Sequence, residues 1–140
     1  VPSATDESAV AFAHLNASDL ISGIDTANAQ IAFGRMLPAI KAGGGMWVSY
    51  ANAAIANTGV GAGRHYAILT GSVTNAAAAG TGAFSPTTAA QIDRKLDDGT
   101  PTTGVFSVVG GANCNSVGAN GVYNEAQNSG VCTGCFRVLN

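Results

Sequence analysis

The sequence SPTTAAQIDRKLDDGTPTTG, residues 85–104, contains the strongest local structure signals in the chain. Ser85 can cap a helix that begins at Pro86, where the missing N–H of proline costs no helical hydrogen bond. Gly99 can end that helix in a left-handed conformation. Three apolar residues repeat at helical spacing and predict one narrow apolar face, made of Ala89, Ile92 and Leu96.

The residues after this helix predict a turn and then a strand. Thr100, Pro101 and Gly104 are typical turn residues. Residues 105–109 (VFSVV) are β-branched or aromatic except for one serine, which favours a buried strand. We therefore expect a charged helix, a tight turn and a strand in direct succession.

Three carboxylates cluster at the end of the predicted helix. Asp93 and Asp97 lie one helical turn apart, and Asp98 follows directly. Such residues can form a glycosidase pair or an oxygen-ligand calcium site, of which calcium is the better fit. Arg94 and Lys95 lie within the cluster and can neutralise it. We favour a structural role, in which Asp98 binds the N–H groups of the turn and the other carboxylates form a solvated face.

Composition restricts the class of protein. The 140 residues suit one domain, and a net charge of −2 gives no basic surface for nucleic acid. Only 10% of the residues are charged, which favours an exported protein and subunits that pack side by side. No apolar run approaches the roughly 20 residues of a membrane-spanning helix. Because the chain does not begin with Met, Val1 is expected to be a processed end or an artificial boundary.

The N-terminal part of the chain predicts an amphipathic helix over residues 3–21. Ser3 or Thr5 can cap it, and Gly23 follows its end. The expected apolar stripe consists of Val10, Ala13, Ala17, Leu20 and Ile21.

Four strands complete the predicted fold. They are expected at 46–50, 65–70, 105–109 and 136–139, and the first two form a hairpin with a long loop. An exposed loop is expected at 71–84, and a polar loop rich in Gly and Asn at 110–131. The predicted fold class is α+β, a single domain of residues 1–140 in which the N-terminal helix packs on an antiparallel sheet of about four strands, with one further short helix.

Three cysteines fall near the C-terminus, at Cys114, Cys132 and Cys135. In an exported protein one pair is expected to be bridged and one thiol left over. Cys132 and Cys135 have the CxxC spacing of redox sites and of half a zinc site. No second CxxC or nearby histidine completes a zinc ligand set, so we expect no metal there.

No catalytic motif is evident. Nothing resembles the GxSxG of a serine hydrolase. His14 lies beside the apolar face of the first predicted helix, where a packing or hydrogen-bonding histidine is commoner than a catalytic one. We expect a protein that is not an enzyme, with no catalytic residues and no cofactor.

A longer pattern, I-D-x-K-x-D-D-G-x-P-x-x-G, runs from Ile92 to Gly104. It occurs together with Glu7-Ser8, His14-Leu15, Asp19 to Gly23, Gly45 to Tyr50, Cys114, Tyr123 and Cys132 to Leu139. These stretches resemble the globular part of bacterial type IV pilin-like proteins, the family with a prepilin-type cleavage and methylation segment. The resemblance spans nearly the whole chain.

The resemblance implies a structural protein. A hydrophobic N-terminal helix, which these residues do not include, would hold it in the inner membrane facing the periplasm. The domain would then form the surface of an extracellular helical filament of identical or homologous subunits, either a type IV pilus or a type II secretion pseudopilus. Such assembly needs two different complementary patches, for which the N-terminal helix and the glycine-rich loops are candidates. Spacing within the family also implies a Cys114–Cys132 disulfide, with Cys135 free.

A different class remains open. A free secreted binding module, such as a calcium-dependent adhesin domain, would use Asp93, Asp97 and Asp98 as ligands.

Overall fold

The computed structural model describes residues 7–27, 30–54, 58–73, 81–116 and 121–139. Within them the chain is α+β, as predicted. Helix α1 spans Glu7–Ala17 and helix α2 spans Pro86–Leu96. The strands are β1 (Gly45–Ala51), β2 (Arg64–Thr70), β3 (Phe106–Val109) and β4 (Thr133–Leu139), with one 3-10 turn at Gly111–Asn113. In this part of the chain, neither helix is long and apolar enough to cross a bilayer.

The four strands form one antiparallel sheet in the order β1-β2-β4-β3. The predicted β1–β2 hairpin is confirmed, with Trp47 opposite Ile68. The last strand, β4, lies between β2 and β3, and Phe136 is opposite both Ala67 and Phe106. The sheet is therefore completed only by the C-terminal residues.

Apolar side chains form three buried clusters around this sheet. The largest joins Ala89 and Ala90 of α2 to Phe106 and Val108 of β3. A second is built around Trp47 and includes Ala9 and Phe12 of α1 with Ile24, Met36 and Leu37. The third, on the sheet face that carries Tyr66, contains Val60, Val109 and Cys135.

Helix α1 ends earlier than predicted, and of the predicted apolar stripe Val10, Ala13 and Ile21 are half-buried whereas Ala17 and Leu20 are exposed. The helix ends at Ala17, and Leu20, beyond its end, is 71% exposed. Asp19 adopts a left-handed conformation (φ 56°), and the N–H of Leu20 donates to the carbonyl of Leu15 (3.0 Å), which closes the helix. An aspartate therefore ends α1 well before Gly23. The predicted caps, Ser3 and Thr5, lie outside the described residues.

The two predicted loops contain core residues, so the expectation that residues 71–84 are exposed is wrong at Phe84, and the polar loop 110–131 is not polar throughout. Phe84 is buried and pairs with Cys132, and Tyr123 is buried and pairs with Asn115. A Cβ on Gly82 would lie 2.2 Å from backbone atoms of Cys132, so these segments touch directly. Residues 74–80 and 117–120 lie outside the described part.

The contact at Gly82 gives a stability prediction. Gly82→Ala should lower the free energy of unfolding by about 1–3 kcal/mol, because the new methyl group must displace the backbone of Cys132. Gly61→Ala is the matched control, since its Cβ would meet nothing closer than 3.7 Å. Urea unfolding of both variants measures the difference. Equal stabilities would contradict the close approach.

Candidate functional site

The site begins with the start of α2, which forms as predicted. The N–H of Thr88 donates to the Ser85 hydroxyl (3.2 Å), and Pro86 occupies the first turn. The buried face agrees with the predicted one at Ala89 and differs from it at the other two positions. Ile92 is half-buried and Leu96 is 60% exposed, whereas the buried residues of α2 are Pro86, Ala89, Ala90 and Asp93. The small alanines allow α2 to lie close to β3, and this orientation turns Asp93 inward.

Asp93 is the buried centre of the acidic turn, by which we mean residues 93–106. Its two carboxylate oxygens accept hydrogen bonds from the N–H of Gly99 (3.1 Å) and the hydroxyl of Tyr123 (2.6 Å). Burial raises the pKa of Asp93, and the nearby charges of Asp98 and Asp97 add to the effect. Burial and the bond to Asp93 also raise the pKa of Tyr123. The expectation that Asp93 belongs to a solvated face is therefore wrong.

Asp97 connects the end of α2 to the start of β3. Its Oδ2 accepts hydrogen bonds from the N–H groups of Val105 and Phe106, the latter at 2.8 Å. Gly104 has φ 77°, and a Cβ there would lie 1.9 Å from Asp97 Oδ2. Only glycine at position 104 allows the carboxylate to approach the strand this closely.

Asp98 closes the turn itself. Its Oδ1 accepts from the N–H of Thr100 (2.8 Å) and its Oδ2 from the hydroxyl of Thr103 (2.5 Å). These bonds favour the ionised form and lower the pKa of Asp98. Asp98 thus makes the kind of bond to turn N–H groups that was expected of it.

Arg94 does not neutralise the three carboxylates, contrary to expectation. It forms a bidentate ion pair with Glu125, in the segment that carries Tyr123. The pair lowers the pKa of Glu125, but both side chains are exposed, so water screens the attraction and the pair adds little to stability. The hydroxyl of Thr87 donates to the carbonyl of Glu125 (3.1 Å). Lys95 is exposed.

The acidic turn brings together carboxylate oxygens, which are the kind of ligand that a hard cation takes. One oxygen from each of Asp93, Asp97 and Asp98 lies within 4.8 Å of the others. Calcium takes six to eight oxygens in general. Here N–H and O–H donors point at both oxygens of Asp93 and Asp98 and twice at one oxygen of Asp97. The three carboxylates therefore fix the backbone of the turn and of the start of β3.

The disulfide joins Cys114 to Cys132, the pairing that the family resemblance implies. Both cysteines are fully buried, and closing a loop with a sequence separation of 18 stabilises the fold by about 3 kcal/mol on the chain-entropy model. Cys135 is free and buried. Residues three apart on a strand face opposite sides of the sheet, so the CxxC spacing does not bring Cys132 and Cys135 together. Burial raises the pKa of the Cys135 thiol to about 12, which makes it unreactive.

Sequence reasoning gave no role to the two residues that complete the site from a distance, although Tyr123 was part of the family resemblance. Tyr123 and Glu125 lie in a Gly- and Asn-rich segment that was read as a loop. An isolated tyrosine in such a segment is itself a signal, because its ring favours burial and its hydroxyl then needs a partner. His14 is exposed, so packing against the core, one of the two structural roles expected of it, is wrong.

Comparison with protein-family models, with curated proteins and with solved structures found no match for this chain.

The role of Asp97 can be measured by substitution. Asp97→Ala leaves two N–H groups at the start of β3 without their acceptor, and should lower the free energy of unfolding by about 1–3 kcal/mol. Lys95→Ala, two residues away and exposed, should change it by less than about 0.5 kcal/mol. Urea unfolding distinguishes them, and a negligible effect of Asp97→Ala would exclude the proposed link between helix and strand.

Asp93 and Asp98 should show opposite pH dependence. The folded-state pKa of Asp93 is raised, so its contribution to stability is present below its ordinary pKa of 3.8 and is lost as the pH rises through the folded value. The pKa of Asp98 is lowered, so its contribution is present above 3.8 and is lost as the pH falls.

The test compares wild type with Asp93→Asn and Asp98→Asn in urea unfolding across acid and neutral pH. The stability of wild type relative to Asp93→Asn should fall with rising pH, and relative to Asp98→Asn it should rise. Curves of the same sign for both pairs would show that burial of Asp93 does not control its titration.

Proposed function

We propose that this chain is the surface domain of a structural subunit of a type IV pilus or a related filament. The proposal is carried by the role of the Ile92–Gly104 residues in the fold. This pattern is the most specific part of the resemblance to pilin-like proteins. Its three aspartates all accept hydrogen bonds from backbone N–H groups of the same turn or of β3. Side chains engaged in this way support a scaffold better than a reaction.

In this proposal the fold is pilin-like and α1 is the end of a longer helix. The upstream part of that helix would anchor the subunit in the inner membrane and later form the filament core. Ala9 and Phe12 would fix the helix to the domain through the cluster around Trp47. A net charge of −2 limits repulsion between neighbouring subunits on the filament surface.

The first test is the coding sequence upstream of Val1. The proposal expects a glycine followed by Phe or Met and, five residues on, a glutamate, and then about 20 apolar residues. The second is electron microscopy of the source cells with antibodies against this domain. Labelling along filaments is the expected result, whereas an ordinary signal peptide together with freely secreted protein would overturn the proposal.

A pseudopilin of type II secretion is the nearest alternative within this class, and the length of the labelled filaments separates the two. A free calcium-dependent adhesin is the alternative from another class. The observation that favours it is the approach of three carboxylate oxygens within 4.8 Å.

Calcium titration decides between a shaped turn and a cation site. Because hydrogen-bond donors point at the oxygens of the acidic turn, we expect no binding heat and no rise in melting temperature with millimolar calcium. Asp98→Asn is the control variant. A rise in melting temperature of wild type that Asp98→Asn abolishes would contradict this expectation and favour the adhesin.

A further inference from the structure

Strand β1 lies at one edge of the sheet, and the described residues cover only the first half of its outer edge. The N–H of Met46 donates outward to the carbonyl of Pro38 (3.0 Å). Backbone polar groups alternate in direction along a strand, so the N–H and C=O groups of Val48 and Tyr50 also point outward. Among the described residues, none makes a backbone hydrogen bond to these groups. Within the described part of the chain, the second half of β1 therefore presents donors and acceptors without a backbone partner.

Cavities flank this half of β1 on both faces of the sheet. On one face, a cavity of about 210 Å³ is lined mainly by apolar groups, including Ala51, Val60, Tyr66, Ile68 and Cys135. On the other face, a groove of about 280 Å³ lies between α1 and β1 and is lined by Glu7, Ala11, Val48, Tyr50 and His65. The small side chains of Ser49 and Ala51 leave the first cavity accessible from the edge.

The length and charge of the uncovered half of β1 indicate which kind of molecule could bind there. Residues 48–51 are too few to hold two folded copies together, since a stable interface buries on the order of 1,200 Å² or more. They suit an extended peptide, which gains main-chain hydrogen bonds from the edge and places alternate side chains on the two faces. Glu7 is the one carboxylate lining the groove, and no described residue forms an ion pair with it. A basic side chain complements it.

We propose that the uncovered half of β1 binds an extended peptide segment as an additional strand. Apolar side chains of the peptide enter the cavity above Tyr66 and Cys135, and an intervening Lys or Arg lies opposite Glu7. This peptide-binding edge does not depend on the filament function, and it would exist equally in a free secreted domain.

The probe is the blocked peptide Thr-Leu-Lys-Leu-Lys-Leu-Thr, titrated into the ¹⁵N-labelled protein. We expect the amide signals of Val48 and Tyr50 to shift and to gain protection from hydrogen exchange. Replacing the central Leu and the Lys that follows it by Pro removes two adjacent main-chain donors, one of which faces β1 whichever way the peptide runs, and replacing both Lys by Glu reverses the charge. Each change should weaken binding by about tenfold or more.

Two protein variants separate the contributions. Glu7→Gln should reduce the preference for the Lys peptide over the Glu peptide. Ala51→Trp should fill the apolar cavity and weaken binding of both. If Ala51→Trp does not fold, the peptide series still tests the edge.

Three results would overturn the proposal. One is the absence of changes at Val48 and Tyr50 at millimolar peptide, and another is equal binding of the Pro-containing peptide. The third is protection of the same amides without peptide in a concentration-dependent dimer, which would assign the edge to a second copy.

Discussion

The fold depends on the carboxylate of Asp97, because it fixes where a helix ends and a strand begins. Its Oδ2 binds the N–H groups of Val105 and Phe106 at the point where the turn becomes β3. This places the Phe106 ring 4.6 Å from the Phe136 ring, between the neighbouring strand and α2. One short side chain thus sets the position of an edge strand relative to both the helix and the sheet.

A buried carboxylate extends this arrangement into the disulfide loop. Asp93 binds the acidic turn through Gly99 and the loop through Tyr123, and Tyr123 pairs with Asn115, next to Cys114. Taking a carboxylate out of water is unfavourable unless its oxygens are hydrogen-bonded. Breaking the bond to Gly99 or to Tyr123 would leave a buried carboxylate oxygen without a donor. The two bonds therefore fix the helix, the turn and the cross-linked loop relative to one another.

The sequence predicts local features of this fold well and long-range ones poorly. The Ser85 cap, the left-handed Gly99 and the β1–β2 hairpin follow from neighbouring residues, and the structure has all three. The orientation of α2 was mispredicted, because Asp93 is buried by a tyrosine 30 residues away. The position of β4 between β2 and β3 was likewise not encoded in any local pattern. Periodicity describes the face of one element and not the partner that covers it.

The central position of β4 imposes an order on synthesis and folding. While the chain emerges, β1 and β2 can pair, but β3 has no neighbour in the sheet until Thr133–Leu139 has left the ribosome. Until then the inner edges of β2 and β3 are exposed to association with other chains. The sheet therefore closes in a late step of synthesis, when the residues of the other three strands are already available.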